Sequence, residues 1–202
     1  MAVLVAPTKS NLMKAKNALE LSQKGFELLD KKRNVLIREM MELMDKAQEI
    51  QGKINTIFEE AYHALQIVNI TLGIQNVEEI ALSIPKDEEF EVLLKSVMGV
   101  EIPKIRYVKK DVEPSYGFYR TNSAFDFAVL RFNEVKYLIY DLTEIENSIY
   151  RLAKEIEKTN KRANALESIQ IPKYKEQVKY IQEVLEEKER EEFFRLKRLK
   201  KG

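Results

Sequence analysis

The chain has 202 residues, no cysteine, a single histidine and a formal net charge of +1. These counts exclude disulfides and thiolate metal sites, leave metal binding poorly supported, and set up no overall field toward nucleic acid or an anionic membrane. With 33% charged residues but only six Gly and five Pro, the chain has few places to turn and suits long helices.

The amino terminus, Met1 to Pro7, is too short for a secretory signal and lacks its basic start. Pro7-Thr8-Lys9-Ser10 then offers two hydroxyls, either of which can accept a hydrogen bond from a free amide at a helix start. From Leu12 to Val68 apolar residues recur at steps of three and four, and fifteen of the seventeen seam positions are apolar. Chance at this composition would fill about eight, so the 3.5-residue period specifies a left-handed coiled coil. Ser22 and Arg33 are its polar members. A helix over this span is roughly 90 Å long and needs a partner, because propensity alone does not hold it.

The region 71–122 reads differently. Glu79 to Ile84 and Val100 to Tyr107 alternate and suggest two short strands. Between them, Asp87-Glu88-Glu89 opens an expected short helix with Phe90, Leu93, Leu94 and Val97 on one face and Gly99 as its cap. Pro114 to Thr121 reads as an irregular return loop. The longest uncharged run, Ala61 to Val77, is too polar to span a bilayer.

Ser123-Ala124-Phe125-Asp126 fits a capping box, and from Ala128 to Leu166 ten of twelve seam positions are apolar. Arg131 and Thr159 interrupt that seam, and polar seam residues commonly set register. Pro172 should bend the helix or end it briefly, after which the pattern restarts at Tyr174, Val178, Ile181 and Leu185. The expected fold is therefore mainly α: a long antiparallel two-helix left-handed coiled coil (8–70 and 123–200) around a small α+β knob (71–122) with a short β-hairpin and a short helix. Folding back places Pro172 opposite about Lys24, beside Gly25.

Two surfaces stand out. Near the knob, Phe127, Leu130, Tyr137 and Tyr140 widen the stripe beyond what two helices bury, and either the chain's own knob or another protein of a complex covers them. At the other end, Glu186 to Glu192 precede a basic run that holds Arg195, Lys197 and Arg198. That run is either a solvated helix face or a contact for carboxylates of a partner. His63 reads as an ordinary polar flank residue. No Walker loop, dinucleotide fingerprint, nucleophile elbow or HExxH pair is present, so an enzyme acting alone is not expected.

Four segments in order, Pro7-Thr8-Lys9-Ser10-Asn11-Leu12-Met13, Ser96 to Pro103, Lys161 to Glu167 before Ile171-Pro172, and Glu189 to Lys197, resemble the D subunit of V-type and A-type rotary ATPases. The likeness covers nearly the whole chain. It implies a central rotor shaft whose helical termini enter a catalytic hexamer of A and B subunits, with the F subunit docked on it and the socket-like C (or d) subunit below. It also implies a place on the cytoplasmic side, peripheral to the membrane without insertion, no nucleic acid, and no cofactor on this chain. Lys9, Lys14, Arg190, Arg195, Lys197 and Arg198 would face the hexamer, and Phe127, Leu130, Tyr137 and Tyr140 would take the F subunit. A prefoldin-like coiled-coil chaperone is the rival reading, though it would leave its coil tips apolar. A tethering coiled coil is third, and it needs no apolar patch beside a knob.

Overall fold

A computed structural model describes residues 6–84, 90–110, 115–117, 119 and 121–200. The elements in order are α1 (Lys9–Leu72), α2 (Ile74–Ala81), β1 (Phe90–Val97), β2 (Val100–Tyr107), α3 (Ser123–Ala165), a π-helical turn (Leu166–Gln170) and α4 (Ile171–Leu199). They belong to two compact units, one of residues 36–154 and one that joins the two ends of the chain, up to Val35 and from Glu155.

In the terminal unit α1 runs antiparallel to the end of α3 and to α4. Lys9 pairs with Glu189 at 3.0 Å, and Lys32 pairs with Glu155 at 2.9 Å. The α1 start is capped by Thr8, whose Oγ1 accepts the Asn11 N–H at 3.2 Å. Ala15, Thr159, Ala163 and Ile181 are buried, which follows the expected seam. Arg33 leaves the seam sideways to donate to Asn160 at 3.1 Å and to pair with Asp30.

The helix does not stop at Pro172, since α3 passes through the π-helical turn directly into α4. The turn before it widens instead, and the Ile171 N–H donates to the Leu166 carbonyl five residues back. A widened turn moves the Ser168 carbonyl off the proline ring, which would otherwise collide with it. It also takes up one extra residue. Continuing the Ala163–Leu166 spacing would bring Lys173, Gln177 and Tyr180 inward, whereas the apolar set is Tyr174, Val178, Ile181 and Leu185, each one later. The wide turn absorbs that slip, and Ile181 is buried.

Leu166 packs on Gly25, and Leu19 lies in a shallow groove with Lys175, Val178 and Gln182. Interpolating between these two levels puts Pro172 opposite about Ser22, within one turn of the expected Lys24 level.

In the central unit α1 again runs antiparallel to α3. Arg131 Nε lies 3.2 Å from the Glu60 carboxylate, as an ion pair without a hydrogen bond from that nitrogen. Asn122 Nδ2 donates to Thr71 Oγ1 at 2.7 Å where the two helices meet the knob. The α3 cap is Asn122, whose Oδ1 accepts the Phe125 N–H at 3.0 Å. The expected capping box therefore starts one residue too late, and Asp126 instead accepts from the Tyr116 hydroxyl at 2.7 Å.

The knob keeps a helix and a hairpin but exchanges their places. Gly73, at φ 80°, stops α1, and α2 follows where a strand was expected from Glu79. Its period of three brings Val77 and Ile80 onto Val68 and Phe125, which outweighs the short alternation of Ile80, Leu82 and Ile84. Phe90–Val97 is a strand rather than a helix, paired antiparallel with Val100–Tyr107 from Phe90↔Tyr107 to Val97↔Val100. The reason is the turn: Met98 and Gly99 both hold positive φ, 49° and 79°. This two-residue geometry matches strand twist and clamps a hairpin. Gly99 thus supplies a turn rather than a helix cap. The expected helix opening at Asp87 to Glu89, and Pro114 in the return loop, lie outside the described residues.

Candidate functional site

The hairpin stands against α3 by its β2 edge. Ile105 N–H donates to Glu144 Oε2 at 2.7 Å, and Arg151 donates to the Glu101 carbonyl at 2.9 Å. Pro103 lies between them with no N–H to satisfy, as suits an edge position. Tyr107 stacks on Tyr137 at 5.2 Å and touches Tyr140 at 5.5 Å, and Phe90 reaches Tyr140 at 5.5 Å. Tyr137 Oη accepts the Lys110 N–H at 2.9 Å. The Tyr107 hydroxyl donates to Asp141 at 2.9 Å, and burial first, then this bond, pushes its pKa up to about 12. Tyr116 is pushed up to about 12 in the same way, by burial and then by Asp126.

The four aromatic and aliphatic candidates near the knob therefore divide. Tyr137, 7% exposed, and Tyr140 are covered by the chain's own hairpin, while Phe127 and Leu130 are 42% and 55% exposed. Phe127 and Leu130 share one face of α3, and Arg131 lies over the Phe127 ring at 5.0 Å. Sequence reasoning left Phe58 out. It stacks on Tyr62 at 5.6 Å and meets Phe132 edge-on at 6.4 Å, and Tyr62 remains more than half exposed. The signal was available, since Phe58 and Tyr62 are four apart on α1 and off the seam.

At the tip, the six basic candidates are all exposed. Three have partners: Lys9 with Glu189, Arg190 with Glu187 at 3.5 Å, and Arg195 with Glu191 at 3.8 Å. The Glu189 hydrogen bond, then its charge, holds the Lys9 ammonium above its ordinary pKa. Among the described residues Lys197 and Arg198 form no ion pair. Phe193, Phe194 and Leu196 beside them are more than half exposed. His63 is exposed. Among the described residues no cluster of His, Asp or Glu could hold a metal ion, and no helix is long and apolar enough to cross a membrane.

This arrangement presents two exposed surfaces, and comparison with known proteins gives the family to which they belong. A family model for the D subunit of ATP synthase matches residues 11–201. The V-type ATP synthase D subunit of Thermotoga neapolitana is 48% identical over 97% of this chain and 97% of its own length. The A-type ATP synthase D subunits of Thermococcus sibiricus and Pyrococcus furiosus are each 40% identical, over 97% of this chain and 93% of theirs. The chain belongs to the family of ATP synthase D subunits.

Proposed function

We propose that this chain is the central rotor shaft, carrying torque between the catalytic A/B hexamer and the ion-translocating rotor in the membrane. The observation that carries the reading is α1, unbroken from Lys9 to Leu72 and held in each unit by an antiparallel partner. A shaft must twist little under load, and a continuous hydrogen-bonded helix packed along its length does so better than loops. A pair of helices also lacks threefold symmetry, so it offers a different face to each of three catalytic interfaces. The chaperone reading is not favoured, because the family match runs along the whole chain and the tip is charged.

On this reading the basic tip contacts the hexamer through Lys9, Lys14, Arg190, Arg195, Lys197 and Arg198. Exposed ion pairs suit contacts that must be released at each step, since each contributes about 1 kcal/mol or less. The F subunit docks on the exposed Phe127 and Leu130, with Tyr137 and Tyr140 acting through the hairpin they anchor. The C (d) subunit seats the knob end, and the complex lies on the cytoplasmic side of the membrane.

The test is reconstitution with purified A, B, F and C subunits. Neutralising all six basic residues should weaken assembly or coupled ATP hydrolysis, most visibly at low salt, where these contacts are least screened. Unchanged assembly and torque would reject the tip's role, and failure to bind any of the four would reject the shaft itself.

A further inference from the structure

The two edges of the β-hairpin are not equivalent. On β2, the Ile105 N–H and the Glu101 carbonyl point away from β1 and are taken by Glu144 and Arg151 of α3. Their cross-strand partners are Val92 and Ser96, so by the antiparallel pattern the backbone groups of Phe90, Val92, Leu94 and Ser96 point away from β2. Among the described residues nothing accepts or donates to them. This edge carries no proline, is eight residues long, and shows Val92 and Leu94 more than half exposed. Edges of that kind are covered or paired in native proteins.

The side chains say what fits. Glu91, Leu93 and Lys95 alternate with the outward backbone groups, and the two charges are equally spaced about Leu93. A second β1 laid antiparallel with Leu93 against Leu93 puts each Glu91 opposite a Lys95. The same register sets Val92 opposite Leu94 and Phe90 opposite Ser96, the pairs whose N–H and C=O groups can join. Backbone register and charge register therefore coincide on one alignment. A shift of two residues keeps the hydrogen bonds but loses the opposition of Glu91 with Lys95.

We infer that the free β1 edge is a pairing site for the same edge of a second copy of this chain, giving a four-stranded antiparallel sheet centred on Leu93. Each α3 helix holds the outer β2 edge through Glu144 and Arg151 and meets β1 at Phe90, at the end of the joint. The pairing is a state of the chain outside a single-copy shaft and does not rest on the rotor reading.

Sedimentation velocity of the full chain alone, over about 1 to 100 µM, should show a monomer passing to a dimer with concentration. Val92→Pro removes only an outward N–H, so it should abolish the dimer while leaving the hairpin and the melting curve in place. Glu91→Lys and Lys95→Glu should each weaken self-association about tenfold or more by setting like charges opposite one another twice. An equimolar mixture of the two variants should recover association, as should the double variant alone. The charge series stands independently if the proline variant misfolds. A monomer throughout the range, a dimer indifferent to the substitutions, or a mixture no better than its components would overturn the proposal.

Discussion

Leu166 Cδ1 lies 3.6 Å from the point where a Cβ on Gly25 would sit, an ordinary van der Waals distance. Gly25 is inside α1, where glycine costs about 0.5–1 kcal/mol relative to alanine through backbone entropy. Gly25→Ala should therefore stabilise the chain by about that amount. Gly52→Ala, with nothing within 4 Å of its Cβ position, should gain the same propensity without the contact. Thermal melts followed by circular dichroism compare them, and a lower midpoint for Gly25→Ala alone would mean that Leu166 cannot yield.

The π-helical turn and Pro172 are expected to act as a unit. Deleting exposed Ser168 while making Pro172→Ala should leave a regular α-helix with both seams in register, and a melt close to that of the parent. Deleting Ser168 alone drives the proline ring into an α-helical carbonyl, at a cost of about 3 kcal/mol. If the deletion is equally tolerated with and without the proline change, the wide turn is not a response to Pro172.

The pair of Lys32 and Glu155 is half-buried, at 30% and 22% side-chain exposure. The Lys32 hydrogen bond lowers the Glu155 pKa, partial burial opposes it, and the charges of Lys32, Lys158 and Arg162 add to the lowering. A lowered carboxylate pKa contributes stability above its unfolded value of 4.5, lost as pH falls through the folded value. Glu155→Gln should cost about 0.5–1 kcal/mol at pH 7 and flatten the loss of stability on acidification. Denaturant midpoints between neutral pH and about pH 3 would show it, and parallel curves for parent and variant would count against it.

Tyr107 and Tyr116 should ionise late. Absorbance titration of the phenolates is expected to show these two at about 12, above the ordinary value of 10. Because the folded value is raised, the stabilisation is complete below pH 10 and disappears as pH rises through about 12. Tyr107→Phe should remove one late phenolate and cost about 1 kcal/mol, from the lost bond to Asp141.

Tyr137 and Phe127 should fail differently. Truncating Tyr137 to alanine uncouples the hairpin from α3 and should lower the melting midpoint. Phe127→Ala and Leu130→Ala, on exposed side chains, should barely move the melt and should weaken capture of the F subunit. An affinity for F unchanged in both exposed variants would remove that face from the proposed interface.

The paired helices were legible because their signal is long: a 3.5-residue period over many turns overrides any local ambiguity. Even the π-helical turn left a trace, in the one-residue slip between Leu166 and Tyr174, though spacing alone shows a slip and not the turn that absorbs it. The knob was legible in content but not in order. Phe90, Leu93, Leu94 and Val97 fit a helical stripe, and nothing in that octet outweighs it. The deciding term sits outside, in the positive φ of Met98 and Gly99 and in the pairing with Val100 to Tyr107. Among the surface candidates, type and spacing could not separate Tyr137 from Leu130. Which of them stays exposed depends on where β2 is anchored, through Glu144 and Arg151, residues that read as plain helix-surface charges.

The ion pair of Lys9 with Glu189 joins residues 180 positions apart, and during synthesis that separation is a waiting time. At about 5–20 residues per second, Lys9 emerges some 10–35 s before its partner exists. Until α3 follows it, the apolar stripe of α1 has no partner helix to pack on. The first partner residues to appear are those next to Asn122, beside Thr71, so the two helices can close only from the knob outward. The tip, which is made last and held by exposed charges, is the final part of the molecule to form and the first that a chaperone or, on the rotor reading, an assembling hexamer would meet open.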